Sequence, residues 1–159
     1  MKVIYNDGHV AECPEDEELH VIRHTAAHIL AQAVKRLYPE AHFAYGPATE
    51  KGFYYDVDLG DKKLSDEDLP AIEAEMAKIV KENLPIKPFV LSHEDAVKLM
   101  EERGETYKVE HIGDLPEDAV LSFYQQGEYI DMCVGPHLTY TKALKAFKIT
   151  QQSGAYWKG

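Results

Sequence analysis

The chain has 159 residues, 45% of them hydrophobic, and its 17 basic and 28 acidic side chains give a formal net charge of −11. This length suits one domain with a buried core. The acidic balance argues against binding of nucleic acid over the whole surface, since phosphate contacts need cationic side chains. No apolar run reaches the roughly 20 residues that a membrane-spanning helix needs. The N-terminus lacks the apolar segment of a signal peptide, and two cysteines, Cys13 and Cys133, do not form a disulfide framework. We therefore expect a soluble cytoplasmic protein with no membrane partner.

The first half of the chain is predicted to contain two hairpins and two helices. A turn signal, Asn6-Asp7-Gly8, lies between two short β-type runs. Pro14 and the acidic residues after it favour a helix N-terminus, and Tyr38-Pro39 ends that helix. Ser65 with Asp68 predicts the start of the second helix. The predicted elements are strands Lys2–Tyr5 and His9–Cys13, a helix over residues 14–37, strands Ala41–Ala48 and Phe53–Leu59, and a helix over Asp66–Asn83.

The second half is predicted to add one short helix and three strands. Ser92 with Asp95 repeats the capping pattern before a helix that ends at Gly104. Gln126-Gly127 is typical of a tight turn between strands. The predicted strands are Thr106–Ile112, Val120–Gln125 and Glu128–Met132. Hairpins mixed with packed helices predict an α+β fold, in which an antiparallel sheet is packed with helices.

The C-terminal segment differs in charge from the rest of the chain. From Thr139 to Gly159 there are four lysines and no carboxylate side chain. Tyr156 and Trp157 lie among these basic residues. Basic residues interleaved with aromatic ones are typical of a surface that meets a nucleic-acid strand. The alternative is an ordinary strand and turn with a solvated lysine face.

Two histidines in the first predicted helix, His24 and His28, are four residues apart. On a helix this spacing places both imidazoles on one face, within reach of a common ligand. They lie nearly opposite an apolar stripe at helical spacing, so we do not expect them in the core. The stripe consists of Leu19, Ile22, Ala26, Ile29, Ala33 and Leu37. The pair is therefore either two solvated histidines or half of a binding site.

A second cluster of chemically active residues runs from Asp131 to His137. Gly135-Pro136 rules out a helix there and predicts a turn that can bring Cys133 and His137 towards one point. Together with the two helical histidines they form a plausible tetrahedral N/S zinc set. Spacing alone does not show that the two clusters meet. The motifs of metalloproteases, Cys-x-x-Cys sites, serine hydrolases and P-loop proteins are absent.

Five blocks of residues, in this order, resemble one known family. The blocks are Arg23-His24-Thr25-Ala26-Ala27-His28, Gly46-Pro47 with Gly52-Phe53-Tyr54-Tyr55-Asp56, Tyr107-Lys108-Val109, Tyr129-Ile130-Asp131-Met132-Cys133-Val134-Gly135-Pro136-His137, and Gly154-Ala155-Tyr156-Trp157-Lys158-Gly159. Together they resemble the editing domain of bacterial threonyl-tRNA synthetases over roughly Leu19 to Gly159. The related editing domains of alanyl-tRNA synthetases share the histidine and cysteine motifs, whereas the second and fifth blocks favour the threonyl branch.

The resemblance implies a fold, a reaction and partners. It implies the common threonyl/alanyl editing-domain fold, with one domain over residues 1–159 and residues 1–18 as a short N-terminal extension. The implied reaction is hydrolysis of serine wrongly attached to tRNA(Thr). The implied partners are the acceptor 3′ end of tRNA(Thr) and the remaining domains of a parent synthetase, of which we interpret the chain as a fragment. Three alternatives stay open: a freestanding trans-editing protein, a zinc-dependent alanyl-tRNA deacylase, and a noncatalytic zinc module that binds the tRNA acceptor end.

The resemblance also implies the site residues. Catalytic roles are implied for His24, His28, Lys108, Asp131, Cys133 and His137, and substrate binding for Tyr55 and Asp131. The candidate zinc ligands are His24, His28, Cys133 and His137.

The implied roles follow the chemistry of each group. Lys108 would supply positive charge, His24 would bind or move a proton, and Asp131 would recognise the ammonium group of the substrate. Cys133 is not expected to be a nucleophile, because the family resemblance points to attack by water with no required cofactor. If the two clusters form one site, His28 and His137 must lie well within about 15 Å of each other.

Overall fold

The computed structural model describes residues 1–44, 48–49, 52–60 and 64–149. Within these ranges, four α-helices and short antiparallel sheets confirm the predicted α+β class. The helices are α1 (Glu18–Leu37), α2 (Leu69–Glu82), α3 (His93–Glu102) and α4 (Thr106–Gly113). The strands are β1 (Lys2–Ile4), β2 (Val10–Glu12), β3 (His42–Phe43), β4 (Ala48–Thr49), β5 (Gly52–Phe53), β6 (Val57–Asp58), β7 (Ile86–Ser92), β8 (Val120–Gln126), β9 (Tyr129–Met132) and β10 (His137–Leu138). The Gly46-Pro47 and Gly154–Gly159 blocks lie outside the described residues, as do Tyr156 and Trp157.

Two three-stranded antiparallel sheets organise the chain. One has the order β7-β8-β9, in which Phe123 of β8 pairs with Phe89 and with Met132. The other has the order β10-β1-β2, so a strand from the C-terminal half pairs with the N-terminal hairpin. Among the described residues, no helix is long and apolar enough to cross a membrane.

The β7-β8-β9 sheet separates two apolar clusters. Successive side chains of a strand point to opposite faces. Tyr124 and Tyr129 therefore pack on the side of α1 and α2, whereas Phe123 and Met132 pack with α3 and α4. Asp131 pairs with Tyr124 and shares its face. This alternation places the Asp131 carboxylate between the sheet and α1.

Helix α1 is buried on two sides, which the sequence pattern did not predict. The expected apolar stripe is exposed at its ends, since Leu19 and Leu37 are 54% and 36% exposed. On the opposite side, Ala27 and Ala31 are fully buried and His28 is 3% exposed. The expectation that His28 lies outside the core is therefore wrong. The strands β9 and β10 cover this side of the helix, where the His28 ring contacts the rings of Tyr129 and His137.

The prediction of a strand over Thr106–Ile112 is also wrong, because this segment forms helix α4. Its β-branched and aromatic residues favour a strand locally, but tertiary packing overrides such preferences. In the helix, Lys108 and Ile112 are one turn apart and both are buried. Strand β7 lies in a segment for which no element was predicted, and it contains Pro88, a residue that is disfavoured in central strands. It lies at the edge of its sheet, where proline is tolerated.

The predicted second hairpin is present as two short strand pairs. His42–Phe43 pairs with Val57–Asp58, and Ala48–Thr49 pairs with Gly52–Phe53. Part of its predicted turn, residues 50–51, lies outside the described residues. Both predicted capping contacts are present: the Ser65 N–H donates to Asp68 at 2.8 Å, and Ser92 accepts from the Asp95 N–H at 3.2 Å. The first one caps a 3₁₀ turn, Asp66–Asp68, so α2 begins at Leu69 and not at the predicted Asp66.

Candidate active site

The predicted histidine pair and the predicted cysteine–histidine turn lie together. The ligand atoms of His24, His28, Cys133 and His137 are all within 4.8 Å of one another. The ring centroid of His137 is 4.2 Å from that of His24 and 4.4 Å from that of His28. The expectation of a short His28–His137 separation is confirmed. We call these four side chains the His/Cys cluster.

The backbone explains how residues far apart in sequence converge. His24 and His28 are one turn apart on α1, with ring centroids 5.0 Å apart. On the other side, two hydrogen bonds to Ser122 of β8 anchor the turn that carries Cys133. The Cys133 N–H donates to the Ser122 carbonyl at 3.1 Å, and the Ser122 hydroxyl donates to the Cys133 carbonyl at 2.6 Å. His137 is held in β10 by pairing with Ile4 of β1.

Burial keeps the His/Cys cluster uncharged. It lowers the pKa of His28 and lowers that of His137 well below its usual value. Burial, with smaller contributions from the neighbouring His28 and His20, lowers the pKa of His24 to about 3. Burial, followed by the negative charge of Asp131, raises the pKa of the Cys133 thiol. At neutral pH the cluster therefore consists of three neutral imidazoles and a protonated thiol.

The His/Cys cluster fits a zinc ion by its chemistry. Neutral imidazole and cysteine sulfur are the ligands that zinc prefers, and four of them complete a tetrahedral shell. His24, His28, Cys133 and His137 would hold the ion, which would deprotonate the thiol and fix the cluster in place. Four protein ligands leave no open position of the kind that catalytic zinc sites keep. The donor set therefore suits a structural ion better than a catalytic one.

Thr25 orients His137 towards the cluster. The Thr25 hydroxyl is fully buried, lies 3.0 Å from Nδ1 of His137 and accepts a hydrogen bond from the Leu138 N–H at 3.1 Å. With Nδ1 engaged, Nε2 of His137 faces the cluster, 3.2 Å from the Cys133 sulfur. A hydroxyl that fixes one ring nitrogen in this way decides which nitrogen is presented to a ligand.

Beside the His/Cys cluster, the Asp131 carboxylate is the centre of a buried polar network. One of its oxygens lies 3.1 Å from the Lys108 ammonium and accepts from the Met132 N–H at 2.8 Å. The other accepts hydrogen bonds from the Tyr55 and Tyr129 hydroxyls. Together these contacts occupy the roughly four acceptor positions of a carboxylate. The expected contact between Asp131 and a substrate ammonium stays a prediction, and it requires sharing the carboxylate with Lys108.

The charge of Asp131 is stabilised against its burial. Burial acts to raise its pKa, but the nearby Lys108 ammonium and the hydrogen bonds from the two tyrosines outweigh it and hold the pKa of Asp131 at about 2. Burial, followed by the negative charge of Asp131, raises the pKa values of Tyr55 and Tyr129 well above normal, so both remain hydrogen-bond donors.

Lys108 makes one ion pair and two hydrogen bonds within the site. It contacts Asp131, donates to the Tyr55 hydroxyl at 2.8 Å and donates to the Ala44 carbonyl at 3.2 Å. Of the two hydrogen bonds, the one to the Ala44 carbonyl is the longer, at 3.2 Å against 2.8 Å. A substrate oxygen could therefore replace this carbonyl at the lowest cost.

The His/Cys cluster and the Asp131 network form one continuous site. Nε2 of His28 is 3.7 Å from the nearer Asp131 oxygen, and the His28 ring packs edge-on to Tyr129. The site thus places a buried ammonium group beside neutral imidazoles. The seven residues predicted for the site lie in it: His24, His28, Tyr55, Lys108, Asp131, Cys133 and His137.

Sequence reasoning missed three further contributors. Thr25 lies between the two helical histidines, and Tyr129 is two residues before Asp131, which places it on the same strand face. Strand alternation could have revealed Tyr129. The Ala44 carbonyl carries no side-chain signal, and only the tertiary structure reveals it.

Comparison with known proteins gives one family model and several similar sequences. Residues 121–156 match the family model described as the threonyl and alanyl tRNA synthetase second additional domain. The chain is 59% identical over 146 residues to a threonine--tRNA ligase of Clostridioides difficile. The aligned region covers 91% of this chain and 23% of that protein. It is 56% identical to those of Carboxydothermus hydrogenoformans (91% of this chain, 23% of that protein) and Clostridium novyi (100% and 25%). The chain thus spans about a quarter of the length of these relatives.

Proposed function

Because the chain belongs to the threonyl and alanyl tRNA synthetase second additional domain family, we propose that it is an editing hydrolase. The proposed reaction is cleavage of the ester that joins serine to the 3′-terminal ribose of tRNA(Thr). The observation that carries this proposal is the buried Lys108 ammonium, held by Asp131 and Tyr55 next to the His/Cys cluster.

The proposed chemistry needs a positioned water and a positive charge. Attack of water on the ester carbonyl places negative charge on the carbonyl oxygen and then on the departing ribose oxygen. The Lys108 ammonium would stabilise that charge by giving up its hydrogen bond to the Ala44 carbonyl and donating to a substrate oxygen instead. His24 is the most accessible histidine of the cluster, and its lowered pKa keeps it neutral. A neutral imidazole that holds no metal accepts a hydrogen bond, so His24 without zinc would orient the attacking water.

The resemblance supplies a reason for such a site. A synthetic pocket built for threonine cannot strongly reject serine, which lacks only a methyl group worth roughly 1–3 kcal/mol. A second, narrower site removes the error if it admits serine and excludes threonine. The proposed site would receive only the acceptor end of tRNA(Thr) in the cytoplasm, while other domains of a synthetase hold the rest of the tRNA. That division of labour is compatible with the net charge of −11.

The proposed function predicts strong discrimination between two substrates. Ser-tRNA(Thr) should be hydrolysed at least roughly tenfold faster than Thr-tRNA(Thr), because one methyl group at a tight contact is worth a factor of about 10–200. The measurement is the first-order loss of labelled amino acid from each tRNA at saturating protein.

Ser-tRNA(Ala) and Ala-tRNA(Ala) serve as controls for the alanyl alternative. Preferential cleavage of Ser-tRNA(Ala) would replace the threonyl assignment with the alanyl one. Equal cleavage of Ser-tRNA(Thr) and Thr-tRNA(Thr) would contradict selective editing. Tight tRNA binding without any cleavage would support the noncatalytic module instead.

Metal removal separates a structural ion from a catalytic one. After exhaustive chelation, the hydrolysis of Ser-tRNA(Thr) should not fall by more than about a factor of three, because the proposed mechanism uses a metal-free His24 and because four protein ligands leave no position for a metal-bound water. The rate is measured before chelation, after it, and after zinc is restored. Loss of hydrolysis on chelation with recovery on added zinc, while the helical content stays constant, would establish the metal-dependent alternative.

A further inference from the structure

The N-terminal hairpin reaches the candidate active site through its first strand. Strand β1 pairs with β2 on one side and with β10 on the other, where Ile4 is opposite His137 and Val3 is opposite Leu138. Val3 is fully buried. The hairpin is therefore part of the packing around His137.

Asn6, at the turn of this hairpin, holds the segment between Cys133 and His137. Its side-chain oxygen accepts a hydrogen bond from the Gly135 N–H at 2.8 Å and another from the Tyr124 hydroxyl at 2.8 Å. A backbone N–H can only donate, so the oxygen of the amide must face Gly135. One side chain of the hairpin thus fixes the midpoint of the cysteine–histidine turn.

The contacts around Asn6 leave little freedom for this turn. A Cβ atom at position 135 would overlap the Tyr124 hydroxyl, so the Gly135 backbone rests directly against that group. Tyr124 is 1% exposed, and its ring lies 4.5 Å from the ring of His137. Asn6, Tyr124 and Gly135 therefore form one packed unit that borders the His/Cys cluster.

We propose that Asn6 is a positioning residue for the candidate active site: by holding Gly135 and Tyr124, it sets the places of Cys133 and His137. Its effect on catalysis rests on the proposed editing function, whereas its effect on the turn does not. The N-terminal hairpin then completes the site, although the five motif blocks all lie after it.

The test combines thiol accessibility with kinetics on the full 159-residue chain. Asn6→Leu keeps the number and branching of the side-chain heavy atoms and removes the acceptor. The Gly135 N–H then loses its acceptor, whereas the Tyr124 hydroxyl keeps the Ile4 carbonyl at 3.2 Å. The unpaired N–H should raise the iodoacetamide alkylation rate of Cys133 by roughly tenfold, measured by mass spectrometry. The rate for Cys13, which is buried at the base of the same hairpin, should stay near the wild-type value. For Ser-tRNA(Thr), kcat should fall while KM stays constant.

Two variants and the second cysteine separate positioning from general loosening. The separate variant Asn6→Asp keeps an acceptor at this position, so its Cys133 should be alkylated as slowly as in the wild type. Asp7→Ala removes a turn hydrogen bond from the His9 N–H that involves neither Gly135 nor Tyr124, and it should leave Cys133 protected. Unchanged alkylation of Cys133 in Asn6→Leu, or an equal rise at Cys13, would overturn the proposal. Faster alkylation of Cys133 alone, in a protein whose wild type cleaves no aminoacyl-tRNA, would sustain positioning of the turn and contradict the proposed function.

Discussion

Replacing Lys108 by Met is expected to lower the rate of Ser-tRNA(Thr) hydrolysis by roughly 10²–10³-fold, the usual cost of removing a preorganised electrostatic stabiliser. Lys108 is 7% exposed and is held in place by Asp131, Tyr55 and the Ala44 carbonyl. In this buried setting its charge acts with little screening by water. The decrease should appear in kcat, because the charge is needed when the ester oxygens become negative. Single-turnover rates at saturating protein measure it.

Lys35→Met is the matched control for this substitution. Lys35 is also a partly buried lysine that donates to a backbone carbonyl, that of Ala41 at 2.8 Å, but it lies outside the site. Its replacement should leave the rate within about a factor of three, the ordinary variation of such effects. Circular dichroism of both variants at the assay temperature confirms that they are folded. A silent Lys108→Met, or equal losses in both variants, would remove Lys108 from the proposed mechanism.

Local signals predicted much of the fold, and they failed where tertiary contacts decide. Turn residues and capping pairs located the N-terminal hairpin, α1, α2 and α3. The segment Thr106–Gly113 has strand-like composition, yet it forms a helix because Lys108 and Ile112 then point together into the protein. Strand β7 contains Pro88, a residue that is disfavoured within central strands but tolerated in an edge strand such as this one.

The sequence predicted which residues form the site, but not how they are buried and bonded to one another. A four-residue spacing placed His24 and His28 on one helical face, and the family resemblance supplied Lys108 and Asp131. The burial of that helical face could not be predicted from periodicity, because the β9–β10 segment that covers it comes more than 90 residues later in the chain. For the same reason, the saturation of Asp131 by Lys108 and two tyrosines required the tertiary structure.

The saturated carboxylate makes Asp131 the structural centre of the site. It is 2% exposed, and its negative charge compensates the buried ammonium of Lys108. Breaking a buried ion pair from one side leaves the other charge without compensation, which costs far more than the pair itself contributes. Removal of both charges together avoids this penalty. The two cases can be separated by a double-mutant cycle.

Asp131→Asn should therefore lower the free energy of unfolding by about 3–5 kcal/mol, because the amide turns an N–H₂ group towards Lys108 or a tyrosine hydroxyl and leaves the ammonium unpaired. The double variant Lys108→Met/Asp131→Asn should lose less than the sum of the two single variants. Urea unfolding followed by circular dichroism gives the four free energies of the cycle. Glu94→Gln, which removes half of an exposed pair with Lys98, controls for loss of a carboxylate and should be nearly neutral. Strictly additive losses would mean that Lys108 and Asp131 do not stabilise each other, and Asp131 could then no longer be the group that holds Lys108 in position for catalysis.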